Sequence, residues 1–209
     1  LDTLLSELDG LRVAGLAGVS SHSIDVHALP ETFSRSMEPG GNVYNARSFA
    51  CHADKGLERV CVSHEPGWED VLSVLEAASA TTRAEITLYG RVGAMFTQVC
   101  PVAGNACKDP AHGICVGASF SLRDERGRKF PVVCHPGPCT ADILSSAPVD
   151  RFELLEQLSH NVLSDGTPAL AHTAWRLSFY EEPRAMRVEW IARLRQILAH
   201  ASEGKLEDA

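Results

Sequence analysis

Three consecutive segments decide the fold: Arg59-Val-Cys-Val-Ser63, Gly67-Trp-Glu-Asp-Val-Leu-Ser-Val-Leu-Glu-Ala-Ala78 and Glu85-Ile-Thr-Leu-Tyr89. The first and third are short, apolar and rich in β-formers, so they read as strands. The middle one places Val71, Leu72, Leu75 and Ala78 at helical spacing, with Glu69 and Asp70 in the first turn, and predicts a helix from Trp68 to Ala80. A strand, a crossover helix and a second strand imply parallel pairing, which makes this an α/β chain.

The rhythm extends upstream. Leu11-Arg-Val-Ala-Gly-Leu-Ala-Gly-Val19 reads as a strand with its exit loop, and Gly41-Asn-Val-Tyr-Asn45 as a short strand with an abrupt polar end. Ala46 to Gly56 reads as a helix closed by glycine. The opening LDTLLSELDG reads as the end of an amphipathic helix; residue 1 is not a Met and is expected not to be the biological start. Downstream of Arg91 the pattern changes to a Gly-, Pro- and Cys-rich stretch with one hairpin signal, Ala118–Arg123 and Lys129–Val133 around the turn Asp124-Glu-Arg-Gly127. From Val149 the β/α pattern returns. A helix is expected over 149–163 on Phe152, Leu155, Leu158 and Val162, then a strand Ala174–Tyr180. A long helix follows from Pro183, with Met186, Trp190, Ile191, Leu194 and Leu198 in a stripe. The expected organisation is 1–90 as the parallel β/α part, 91–148 as an insert and 149–209 as a closing β/α segment. The strands before the insert amount to about half of a barrel, leaving open edges for missing strands or a second chain to fill.

Bulk composition narrows the function. The 209 residues are 44% hydrophobic and 22% charged, enough to bury a core, and the net charge of −8 disfavours a broad nucleic-acid surface. Arg123, Arg126, Arg128 and Lys129 cluster, but at a place that suits a solvated hairpin tip. No apolar run approaches the roughly 20 residues that span a bilayer, and the N-terminus lacks the pattern of a secretory signal. A soluble, cytoplasmic protein is expected.

The seven cysteines are odd in number and unevenly spaced, which argues against a disulfide framework. Cys100, Cys107, Cys115 and Cys139 lie in irregular chain among Pro101, Gly104, Asn105, Pro110, Gly113 and Gly117, residues that let thiolates converge. Thiolates suit zinc or an iron–sulfur cluster. The four lack the pairs two to four residues apart that zinc sites favour, so a cluster is preferred and zinc is the alternative. Cys134 competes with Cys139 for the fourth place; it ends an apolar strand, whereas Cys139 sits in the loop Pro136-Gly-Pro-Cys-Thr140. Cys51 and Cys61 read as core residues.

Several segments carry a resemblance. Tyr89-Gly-Arg-Val-Gly-Ala-Met-Phe-Thr-Gln-Val-Cys-Pro101, the hairpin Ser121-Leu-Arg-Asp-Glu-Arg-Gly-Arg-Lys-Phe-Pro-Val132, Asn42-Val-Tyr-Asn45, Arg59-Val-Cys-Val-Ser-His-Glu65 and Trp175-Arg-Leu-Ser-Phe179 stand in the order of matching motifs of the collagenase-like peptidase U-32 family. Together they resemble that family over about residues 10 to 200. The resemblance implies the C-terminal half of a TIM-barrel-like domain with a Cys-rich insert, and a 4Fe–4S cluster on Cys100, Cys107, Cys115 and Cys139. It also implies either oxygen-independent hydroxylation of tRNA, ribosomal RNA or the ubiquinone ring, or peptidase activity. Where the family's best-known pattern has a Cys two or three residues after the strand-ending Gly, here the first Cys comes ten residues after Gly90. That places the chain with the Gly-Arg…Cys-Pro variants and leaves a small-molecule or RNA substrate open.

Reactive groups of parallel barrels cluster at the carboxyl ends of strands. Arg91, Glu65 and Arg176 are the catalytic candidates, with the two arginines placed to bind carboxylates of an oxygen-bearing donor. Asn42, Asn45 and Ser63 are the substrate-binding candidates. Plainer roles fit too: Asn45 as a helix cap, Glu65 in a first turn, Arg176 on a strand surface. A peptidase would need a nucleophile. Ser63 and His64 are neighbours, but adjacent strand residues face opposite ways, and neither H-E-x-x-H nor G-x-S-x-G occurs. A third reading is a non-catalytic binding subunit stabilised by metal, and an oligomer fits the open edges.

Overall fold

The computed structural model describes residues 2–102, 115, 118–135 and 138–202. Cys107 lies outside them. By contacts the chain divides into two compact units: Leu1–Leu88 with Arg151–Leu177 and Pro183–Ala209, and Tyr89–Asp150 with Ser178–Glu182.

The first unit is a parallel sheet with helices. Its elements are α1 (Asp2–Val13), β1 (Gly18–Ser21), β2 (Ser34–Met37), α2 (Ala46–Ala53), β3 (Arg59–Cys61), α3 (Trp68–Ala77), β4 (Arg83–Gly90), α4 (Phe152–Ser159), β10 (Thr173–Ser178) and α5 (Arg184–Ser202). The strand order is β1-β2-β3-β4-β10, and the pairs β1/β2, β2/β3 and β3/β4 are parallel. Register sorts the residues into two faces. Met37, Val60, Ala84 and Ile86 lie on one, and they join Val71, Val74 and Leu75 of α3 and Phe49 of α2 in the main core. Each of these side chains is at most 2% exposed. At ~25 cal/mol per Å² this apolar burial is the main driving force for the unit. Ser20, Ser36, Arg59, Cys61, Glu85 and Thr87 lie on the opposite, polar face.

The expected helix at 46–56 and the strands at 59–63 and 85–89 are present with small shifts of boundary. Several expectations are corrected. Residues 11–13 finish α1, and the strand begins only at Gly18. The segment 41–45 is not a strand: Pro39–Gly41 forms a 3-10 turn and Asn42 takes the left-handed conformation at φ 53°. The strand lies earlier, in Ser34-Arg-Ser-Met37. The helix expected over 149–163 is shorter, and Val162, expected on its apolar side, is 65% exposed. On α5, Trp190 stacks on Phe152 at 4.9 Å, whereas Met186 and Ile191 of the expected stripe are exposed. Cys61 is buried as expected, but Cys51 is exposed.

The second unit holds an antiparallel sheet of β5 (Gly93–Thr97), β6 (Phe120–Arg123), β7 (Lys129–His135) and β8 (Thr140–Leu144), in the order β5-β8-β7-β6. The short β9 (Val149–Asp150) pairs antiparallel with Tyr89–Gly90 at the end of β4. The β6–β7 hairpin turns on Gly127 at φ 77°, and Arg128 pairs with Asp124 at 2.6 Å. Its Arg123, Arg126, Arg128 and Lys129 are exposed, as a solvated tip requires. Among the described residues no helix is long and apolar enough to cross a membrane.

A pair of imidazoles fastens α2 to the preceding chain. His52 Nε2 lies 3.0 Å from the Gly41 carbonyl and so carries its hydrogen; His52 Nδ1 then accepts from His27 Nε2 at 3.0 Å. Burial, then the charges of His52, Lys55 and Arg35, hold the His27 imidazole below its ordinary value. The unfolded chain therefore binds more protons. The stability of the neutral pair is complete above the unfolded value of about 6.5 and is lost as pH falls through the folded one. The thermal midpoint is expected to drop between about pH 7.5 and 5.5, and less so in His27→Gln. An equal drop in that variant would remove the pair from the explanation.

Candidate functional site

The carboxyl ends of β2 and β3 bring together the two loops with the substrate-binding candidates. Asn45 caps α2: its side chain accepts the Ser48 N–H at 3.0 Å, while Ser48 Oγ accepts the N–H of Asn45 at 3.2 Å. That capping box fixes the loop, worth about 1 kcal/mol. Asn42 is exposed beside it. After β3, the Ser63 N–H donates to the Val43 carbonyl at 2.9 Å, which ties the Asn42–Asn45 loop to the Ser63–Glu65 loop. Ser63 is 6% exposed, and its Oγ accepts the Glu65 N–H at 3.5 Å. The Glu65 carboxylate is exposed, ahead of α3. Asn45 therefore has a structural duty, and Ser63 makes no described bond to an imidazole.

Arg176 belongs to a charge network that the sequence does not reveal. Its NH1 lies 2.6 Å from Glu38 Oε2 and its Nε 2.5 Å from Glu85 Oε1, while Arg59 approaches Glu85 Oε2 at 3.6 Å. Two cations and two anions close the account at zero. Burial pushes the Glu38 carboxyl up, but hydrogen bonds from Arg176 and Ser20, with the charges of Arg176 and His22, outweigh it and hold it below its usual value. For Arg176 burial is likewise outweighed, and the guanidinium is held above its ordinary value. Burial, with Glu85 next, pushes the Cys61 thiol up to about 12, so Cys61 is no nucleophile at neutral pH. Glu38 and Glu85 are the residues sequence reasoning missed. A signal existed for Glu85: it is a lone acid in the apolar strand Ala84-Glu-Ile-Thr-Leu88, where burial demands a cation.

The other candidates lie in the second unit. Arg91 NH1 donates to the Ser145 carbonyl at 2.6 Å, and Ser145 Oγ accepts the Val92 N–H at 3.2 Å. Arg91 thus pins the start of the insert to the end of β8. Cys100, Cys115 and Cys139 are half-buried, and Cys139 sits in the β7–β8 turn at φ 54°. Cys134 packs instead against Val132, Ala141 and Ile143, on the apolar side of the sheet. Next to it, His135 Nε2 meets Asp142 Oδ2 at 2.8 Å. Among the described residues no three His, Cys, Asp or Glu side chains form a group that could hold a metal ion.

No family model matches this chain, and no curated protein or solved structure is significantly similar to it.

Proposed function

We propose that the chain is part of a peptidase U-32-like enzyme of the TIM-barrel type, which uses a 4Fe–4S cluster on Cys100, Cys107, Cys115 and Cys139 to support oxygen-independent hydroxylation of RNA or a quinone precursor. The observation that carries this reading is the 2.9 Å bond from the Ser63 N–H to the Val43 carbonyl. It joins two motif segments, distant in sequence, at the carboxyl ends of adjacent parallel strands, where such sheets bind ligands. In this reading Asn42, Ser63 and Glu65 line the substrate end, and the network around Arg176 keeps that end rigid.

The donor set fits the group. All four donors are thiols, which suits iron–sulfur chemistry, and the described Cys100, Cys115 and Cys139 lie in loops. Three of them, Cys100, Cys115 and Cys139, are half-buried in one compact unit, and Cys134 of the same unit packs on the apolar side of the sheet. A cluster bound there would supply one-electron transfer. Arg91 would hold the start of the insert in place. The protein would work in the cytoplasm, with its sheet continued by further strands or by a second chain.

The test is iron and acid-labile sulfide content, with a visible spectrum, on anaerobically purified protein. About four irons per chain are expected, lost in each of Cys100→Ala, Cys107→Ala, Cys115→Ala and Cys139→Ala and retained in Cys134→Ala. Stoichiometric zinc, or no metal, overturns the cluster and returns the peptidase and binding-subunit readings to the front.

A further inference from the structure

Arg151 is a cation with no carboxylate beside it among the described residues. It precedes α4, and its backbone N–H donates to the Leu88 carbonyl at 2.8 Å, which anchors it beside β4. Its guanidinium donates through NH2 to the carbonyl of His64, in the loop that follows β3. A guanidinium has five N–H donors, so most of its fork remains to be used.

The other buried guanidiniums of this unit are treated differently. Arg35 is 4% exposed and donates to the carbonyls of His27, Leu29, Lys55 and Gly56 at 3.0 to 3.3 Å, with Glu31 3.7 Å away. Arg176 holds two carboxylates. Arg151 has no carboxylate partner among the described residues, in a chain with 27 acids against 19 lysines and arginines. Burial holds its guanidinium below its ordinary value, and no acid among the described residues offsets that cost. The position is unfavourable for a second reason: a cation at the start of a helix faces the positive end of the helix dipole. A half-buried charge with both penalties and no carboxylate partner among the described residues calls for an anion from outside.

The surroundings suit one. His64 is flanked by Ser63, whose Oγ accepts from the Glu65 N–H and so keeps its own hydrogen to donate. We propose that Arg151, with Ser63, forms a binding site for a small anion bearing a carboxylate or phosphate, the group a guanidinium fork recognises through two parallel hydrogen bonds. The site deepens the functional reading by giving the substrate end a charge preference, and it rests on that reading only for its role. Anion binding and iron content are separate measurements, so either can fail alone.

The experiment is isothermal titration calorimetry on the full 209-residue chain, in a buffer free of competing anions, with inorganic phosphate and separately with malonate. Saturable binding of at least one is expected. Arg151→Met should weaken it about tenfold or more, the loss of one charge-assisted pair. Arg151→Lys keeps the charge without the fork and should weaken it less, and the exposed Arg195→Met should leave it unchanged. Phosphate alone would assign a phosphate-bearing ligand, malonate alone a carboxylate. No binding of either, or unaltered affinity in Arg151→Met, overturns the site. If Arg151→Met does not fold, Arg151→Lys decides: affinity equal to the parent's overturns the fork.

Discussion

Arg176→Met is expected to destabilise the protein by about 3 kcal/mol, the low end for removing one partner of a buried ion pair, because the site keeps some contact with water. The variant strands Glu38 and Glu85, whose side chains are 12% and 8% exposed, and leaves, among the described residues, Arg59 at 3.6 Å to face Glu85. Uncompensated carboxylates, not lost packing, are the cause, so the damage should be reversible by design. Adding Glu38→Gln and Glu85→Gln to Arg176→Met removes the orphaned charges and should restore most of the loss. Urea unfolding reads both steps through the midpoint. If Arg176→Met unfolds at the parent's midpoint, the network adds nothing and the arginine is free for another task.

Gly90→Ala is expected to cost a further class of energy, backbone strain with collision, of about 3 kcal/mol or more. Gly90 ends β4 at φ 135°, where side chains are rarely accommodated. A Cβ there would collide with the carbonyl oxygen of Ser178 and come within 2.7 Å of its Cβ. The backbone carbonyl cannot swing away as a flexible side chain would. The exposed Gly10, with nothing within 4 Å, is the control: Gly10→Ala lies inside α1 and should stabilise slightly. A Gly90→Ala protein with the parent's melting temperature would refute the close approach.

The reading of the sequence reached the elements whose signals are local. α3 was legible because Val71 and Leu75 recur at helical spacing behind Glu69 and Asp70, and β4 because the four apolar or β-forming residues Ile86 to Tyr89 run together. β2 was not, because three of the four residues in Ser34-Arg-Ser-Met37 are polar. It earns its central place through contacts made elsewhere in the chain, above all the four carbonyls that receive Arg35. The Gly41–Asn45 segment reads as a strand because Val43 is apolar. That valine is indeed buried, at 0% exposure, but inside a loop. The charge network was hidden for the same reason on a longer scale: Arg176 and Glu85 are 91 residues apart, and no periodicity links them. The loops with Cys100, Cys115 and Cys139 carry no periodic pattern either, and there the sequence speaks through residue type alone.

Cys61 shows what burial in the sheet does to an otherwise reactive atom. With its thiol raised to about 12, only about one molecule in a hundred thousand carries the thiolate at pH 7. Oxidants and electrophiles act on thiolates, so the sulfur at the centre of the sheet is chemically silent. Burial first, and the neighbouring Glu85 carboxylate second, thus act as a chemical shield, and the parallel sheet keeps its central sulfur redox-inert.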